Sequence, residues 1–218
     1  MLIDLHTHTL FSDGVLIPSE QVQRARQKEY SVLGITDHAD FSNYEHILDS
    51  LLGARESLNA YPDLKVLIGI EITHVPPRKI ESLVLKAREK GAQIIVGHGE
   101  SIIEPVEPST NEAFIQSGVD ILAHPGFITP ELTRLAADRQ VFLELSYRRG
   151  HCLTNGHVAK LALEAGASLC LDSDSHTPGD FFPNERAYDH LALGSGLSLS
   201  QLETLKKNLE IFVAKILD

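Results

Sequence analysis

The chain of 218 residues has no tryptophan, one methionine, two cysteines and an aromatic content of only 6%. Cys152 and Cys170 stand too far apart for a thioredoxin-like or zinc-ribbon spacing. That leaves one disulfide or, more simply, two reduced thiols. No apolar stretch is long enough to span a bilayer; the longest, such as Leu64 to Ile70, are strand-sized. The opening Met1-Leu2-Ile3-Asp4-Leu5-His6 has neither the basic nor the long apolar region of a secretory signal, so the cytoplasm is the expected location. Positive charge is scarce too, with 19 Lys and Arg against 30 Asp and Glu and a net charge of −11. This balance disfavours duplex nucleic acid and anionic membranes as partners, because both demand basic patches. Low-complexity tracts, linkers and internal repeats are also missing. Residues 1–218 are therefore expected to fold as a single domain with a substantial core. Oligomeric state is not legible.

Histidine, by contrast, is plentiful, with eleven residues. It is the commonest metal ligand and the usual acid–base group near neutral pH, so its positions matter more than its number. A rhythm runs through the chain: a short run rich in Val, Ile and Leu, then a longer segment with helical spacing. Seven such runs stand out at Leu2–His6, Ser31–Thr36, Leu64–Ile72, Gln93–His98, Val119–His124, Gln140–Ser146 and Ala167–Asp172. Most read as strands buried on both faces. Helices are expected from Pro18 and over Glu45–Asn59, Pro77–Lys90, Asn111–Ser117, Pro130–Asp138 and Asn155–Ala165, with Gly91 and Gly166 as left-handed stops. A final helix shows a possible capping box at Ser200 and Glu203 and an apolar stripe from Leu202 to Ile216. Strand–helix alternation predicts an α/β fold with a parallel sheet. The lack of a Gly-rich dinucleotide fingerprint after the first strand favours a closed barrel over an open sheet, although periodicity alone leaves both open.

Six of the seven strands end at, or close to, a potential metal ligand. The first ends in Asp4-Leu5-His6-Thr7-His8, where alternation puts the three polar side chains on one face. His6 and His8 can grip one ion, with Asp4 orienting one of the rings from behind. Later strands bring His38, Glu71, His98 and His124, and the seventh runs into Asp174 and His176; Asp13 joins if the loop Ser12-Asp13-Gly14 folds over the strand ends. Active sites of parallel barrels lie at the carboxyl ends of the strands. Nine donors exceed the needs of one ion and fit two or three, and mixed imidazole and carboxylate donors suit Zn, Mn or Fe.

The motifs Asp4-Leu5-His6-Thr7-His8-Thr9, Gly34-Ile35-Thr36-Asp37-His38, Gly69-Ile70-Glu71, Gly97-His98, Ala123-His124-Pro125 and Ser173-Asp174-Ser175-His176 resemble, in order, those of the PHP family, the polymerase and histidinol phosphatase domains. That resemblance implies a distorted seven-stranded TIM-like barrel, (β/α)7, and a trinuclear centre that hydrolyses phosphoesters. It assigns His6, His8, Glu71 and Asp174 to one ion, lets Glu71 bridge to a second with His98 and His124, and gives Asp13, His38 and His176 to a third. Some members carry histidine where this chain has Asp13. Closely spaced ions can hold a bridging hydroxide at neutral pH and stabilise both oxygens of an in-line displacement. A small phosphate monoester such as histidinol phosphate is the expected substrate. An amidohydrolase-type metal hydrolase and a nuclease or nucleotide phosphoesterase module are the alternatives.

The sixth strand carries no ligand. If Glu144 and Ser146 face inward, alternation aims Arg148 at the site as a phosphate clamp, with Arg149 second and Arg186 a weaker candidate. His151 and His157 are read as rim or helix residues, and His46, His74 and His190 as structural or surface residues. The loop Gly99 to Thr110 is either a mobile flap or an ordered surface loop. Cys170, Phe181 and Phe182 are assigned to core packing.

Overall fold

The computed structural model describes residues 1–217. Its strands are β1 (Leu2–Asp4), β2 (Tyr30–Ile35), β3 (His38–Ala39), β4 (Lys65–Ile72), β5 (Ile94–His98), β6 (Ile121–Ala123), β7 (Phe142–Ser146) and β8 (Leu169–Asp172). Its helices are α1 (Pro18–Gln27), α2 (Tyr44–Leu58), α3 (Pro77–Glu89), α4 (Thr110–Ser117), α5 (Pro130–Arg139), α6 (Asn155–Ala165), α7 (Glu185–Gly194) and α8 (Leu199–Leu217). Every strand pairing is parallel, in the order β1-β2-β4-β5-β6-β7-β8. The two-residue β3 continues β2 after a short break and sets His38 opposite Glu71 of β4. The result is a near-closed barrel of seven parallel strands wrapped by helices, with a C-terminal helix laid against it. Among the described residues, no helix is long and apolar enough to cross a membrane.

Local chemistry accounts for most of the boundaries. Proline occupies the first turn of α1, α3 and α5, where its missing N–H costs nothing. Gly91 and Gly166 sit at φ +101° and +71° and stop α3 and α6. The capping box of α8 is shifted from its expected place: Ser198 and Gln201, not Ser200 and Glu203, exchange the bonds. The Gln201 amide donates to Ser198 Oγ at 3.3 Å and the Ser198 amide to Gln201 Oε1 at 2.7 Å. Helix α7, missed in the sequence, is capped by Asn184, whose side chain accepts from the Ala187 amide at 3.0 Å. Strands β4 to β8 are buried on both faces apart from Lys65. Their apolar runs are continuous for that reason. Cys170, Phe181 and Phe182 are core residues, as expected.

Closure between β1 and β8 uses side chains before it uses backbone. The Leu5 amide donates to Asp172 Oδ1 at 2.6 Å, and the Ser173 amide to Asp4 Oδ1 at 3.0 Å. Direct pairing begins only beyond the strands, where the Asp174 amide donates to the His6 carbonyl and the His8 amide to the Ser175 carbonyl, both at 2.9 Å. Asp4 therefore staples the seam instead of orienting a histidine ring. Burial, reinforced by the neighbouring Asp172, pushes its carboxyl up to about 7.

Two glycines offer a contrast that tests the packing. A Cβ on Gly69 would enter the van der Waals shell of the Ile94 carbonyl oxygen in the β4–β5 ladder, whereas one on Gly53 in α2 meets open space. Gly69→Ala should cost at least the ~1–3 kcal/mol of an overpacked core. Gly53→Ala should stabilise by ~0.5–1 kcal/mol through helix propensity. Urea midpoints of the two variants should therefore move in opposite directions.

Candidate metal centre

The alternation of β1 beyond its last ladder residue throws His6 and His8 into the mouth of the barrel, at the carboxyl ends of the strands. Their Nε2 atoms are 3.1 Å apart. Glu71 Oε2 lies 3.3 Å from His6 Nε2 and 3.6 Å from His8 Nε2, and Asp174 Oδ1 lies 3.2 Å from His8 Nε2 and 3.8 Å from His6 Nε2. Donors on a tetrahedral ion with bonds of about 2.0–2.1 Å are separated by about 3.3–3.4 Å, so the four atoms suit one such ion. The other oxygen of Glu71, Oε1, faces His98 Nδ1 at 3.1 Å and His124 Nε2 at 3.4 Å. Asp13 Oδ1 reaches His176 Nε2 at 3.0 Å and His38 Nε2 at 3.6 Å. The structure thus brings all nine candidate donors to one place, with Glu71 at the middle.

Hydrogen bonding alone does not account for this arrangement. Three imidazole nitrogens, from His38, His6 and His8, stand 2.6, 3.3 and 3.6 Å from Glu71 Oε2. Yet that oxygen has no hydrogen-bond partner among the described residues, and neither does Asp174 Oδ1. Buried polar atoms of native proteins are nearly always paired. Orphaned donors converging on one space are what a cation site presents without its cation, so the residues fit divalent ions.

The electrostatics follow from packing rings and carboxylates together away from water. Burial alone would lower the His98 pKa, but Glu71 and Glu104 raise it to about 10. His6 is raised well above its usual value against the same burial, by Glu71 and Glu144. His8 is lowered to about 3 by burial and the charge of His38, and His124 to about 3 by burial and the charge of His98. Burial works against ionising Glu71, yet the surrounding imidazoles hold its pKa well below the carboxylate range. Protons on some rings thus supply positive charge that ions would otherwise provide. Backbone strain clusters here as well: His74, His124 and Asp174 have φ of +53°, +30° and +51°. Each costs about 1–3 kcal/mol and is held by the structure around it.

Strand β7 supplies no donor but does supply order. Glu144 Oε1 is 2.6 Å from His6 Nδ1, and Oε2 accepts from the His124 amide at 2.8 Å. This buried carboxylate fixes which His6 nitrogen faces the centre. Arg148, half-buried, points inward as the alternation predicts, with Nη1 at 3.0 Å from the Asp174 carbonyl and 2.6 Å from His176 Nδ1. Arg149 is exposed. Both arginines, with Tyr147, His176, Thr177 and Asp180, line a cleft of about 550 Å³. Arg186 lies in α7 beside His190, outside this lining. His157 donates to the Ile128 carbonyl at 2.7 Å, a structural role, and His46 packs against Phe11.

One assignment from sequence needs correction. His151 is not a rim residue: it is 2% exposed, stacks on His124 at 4.1 Å and points Nε2 toward Asp174 Oδ2 at 3.9 Å. His74, read as structural or surface, is exposed but packs its ring 5.0 Å from that of His98. Glu104, from the loop of residues 99–110, was missed; its Oε2 lies 2.9 Å from His98 Nε2. One glutamate among three in a proline-containing loop gives no periodic signal.

Comparison with known proteins agrees with this geometry. A PHP domain is matched over residues 4–163. An uncharacterized protein of Methanocaldococcus jannaschii is 46% identical over 205 residues, spanning 93% of this chain and 94% of its own. A probable phosphatase of Proteus mirabilis is 27% identical over 216 residues, with 87% and 84% covered. Among solved structures, the histidinol phosphate phosphatase of Lactococcus lactis, complexed with zinc, L-histidinol and phosphate, shares the fold. It has a TM-score of 0.64 and 15% identity, over 90% of this chain and 94% of that one. The chain belongs to the PHP family and is an enzyme of its metal-dependent phosphoesterase class.

Proposed function

We propose that the protein hydrolyses a small-molecule phosphate monoester, with histidinol phosphate the leading example, using two to three divalent ions of the Zn, Mn or Fe type. His6, His8, Glu71 and Asp174 would hold one ion; Glu71, His98 and His124 the second; Asp13, His38 and His176 the third. The observation that carries this reading is the cleft of about 550 Å³ that opens between Arg148, Arg149 and His176. It sets a guanidinium beside the candidate ligands, in a volume suited to a metabolite.

When bound, the ions supply a water activated at neutral pH and positive charge for the attacking and leaving oxygens. The chain supplies position. Arg148 is tethered through Nη1 to the Asp174 carbonyl and His176 Nδ1, with Nε 3.6 Å from Asp174 Oδ2, and would offer Nη2 to a phosphate oxygen. Arg149, Tyr147 and Asp180 would meet the alcohol part of the ester. Glu144 keeps His6 oriented. The acidic balance of the chain supports a small substrate over duplex nucleic acid.

Extensive chelation should abolish phosphatase activity, and Mn, Fe or Zn should restore it; full turnover by verified metal-free protein would refute the reading. Lactone and amide substrates assayed in parallel should remain uncleaved. Glu71→Gln should weaken two ion positions together. Arg148→Ala should keep the metal content and lose about one to two orders of magnitude in kcat/KM, the worth of a charge-assisted bond of about 1.5–3 kcal/mol.

The proton balance gives a further test. His98, raised to about 10, and His6, raised well above its usual value, carry protons near neutral pH in the ion-free protein. A ring must be neutral to ligate, so loading near pH 7.5 should release about one proton or more, and affinity should rise with pH up to about 10. Calorimetry in two buffers of different ionisation enthalpy measures the release; none at all would contradict the charge assignment.

A further inference from the structure

The loop between β5 and α4 turns a charged side chain toward the mouth of the barrel and leaves apolar ones in solvent. Across residues 102–109, Ile102 and Ile103 are exposed at 44% and 46%, while the half-buried Glu104 between them and Pro105 points its carboxylate toward three histidines. Carboxylates ordinarily take the solvent side and isoleucines the covered side. The inward turn has a destination. Glu104 Oε2 lies 2.9 Å from His98 Nε2 and 3.9 Å from His74 Nε2, and Oε1 lies 3.5 Å from His151 Nε2. His74 is held in a left-handed conformation beside His98.

Both ends of the loop are tied down around this point. Ser101 Oγ is 2.7 Å from His151 Nδ1, and Glu100 and Asn111 exchange bonds of 2.9 and 3.0 Å. His98 also repeats the setting of His6. His6 has Glu144 on Nδ1 and the centre on Nε2; His98 has Glu71 on Nδ1 and Glu104 on Nε2. A ligating imidazole commonly gives its second nitrogen to a carboxylate, which fixes ring orientation and strengthens the ligand. Glu144 comes from the rigid wall of the barrel, whereas Glu104 comes from a loop.

We propose that Glu104 is a positioning residue of the second ion site, a carboxylate that holds the His98 and His151 rings and latches the loop of residues 99–110 over that ion. The inference rests on the proposed assignment of Glu71, His98 and His124 to one ion. Ion occupancy and loop closure are then coupled. An ion on His98 settles the ring tautomer that donates to Glu104, and Glu104 in place shields that ion from exchange.

The test is Glu104→Gln, which preserves size and removes the charge, with circular dichroism as the control for folding. Zinc titration against a competing chromophoric chelator should show one ion class weakened about 10–100-fold, the usual effect of losing such a carboxylate, with the other classes unchanged. Hydrogen exchange of amides 100–109 should slow on zinc loading in the parent protein and stay fast in the variant. Unchanged zinc affinity, or a loop whose exchange ignores zinc in the parent, overturns the coupling while leaving the metal centre intact. A parent protein that binds no zinc overturns both. An equal weakening of every ion class would mean that Glu104 acts through general charge alone, and also overturns the positioning role.

Discussion

Glu71 sits at the bottom of the mouth, wholly buried, with an imidazole on almost every side. An isolated carboxylate in that position would be prohibitively costly. Here His6, His8 and His38 meet one oxygen and His98 and His124 the other. The rings can only be there because the carboxylate is, and the carboxylate can only stay charged because the rings are. The balance is uneven around the ring of ligands: His6 and His98 favour the proton, while His8 and His124 are driven to the neutral form.

The barrel exists, in large part, to hold that cluster still. Continuous apolar strands make its wall, and Glu144 and the Asp4–Asp172 seam convert buried polar groups into fixed supports. Strain concentrates where ligands project: His124 and Asp174 keep left-handed backbones that relaxed loops would abandon. The loops above the mouth do the variable work. They carry the arginines, the exposed apolar residues Phe127 and Leu153, and the carboxylate of Glu104. This division of labour is the usual one in parallel barrels, with stability in the wall and specificity in the loops.

What the sequence determined by itself was whatever repeats or has a local cause. Seven apolar runs became the seven strands of the barrel within a few residues, because a doubly buried strand leaves no choice of polar alternation. Eight of the nine donors were legible because each lies at or just beyond the end of such a run, Asp13 because its loop follows the first one, and Arg148 because strand parity carries across Ser146. Tertiary structure decided what depends on partners distant in the chain. Asp4 could have faced a histidine ring, but the neighbouring strand end offered the Ser173 amide. Glu144 could not be linked to His6 without knowing that the barrel closes through β8 and so brings β7 within two strands of β1. His151 and Glu104 approach the cluster only because two loops fold over it, each turning a polar side chain toward it and leaving apolar ones exposed. Local propensity is blind to such inversions, since a buried charge is favourable only when the opposite charge has already been brought to meet it.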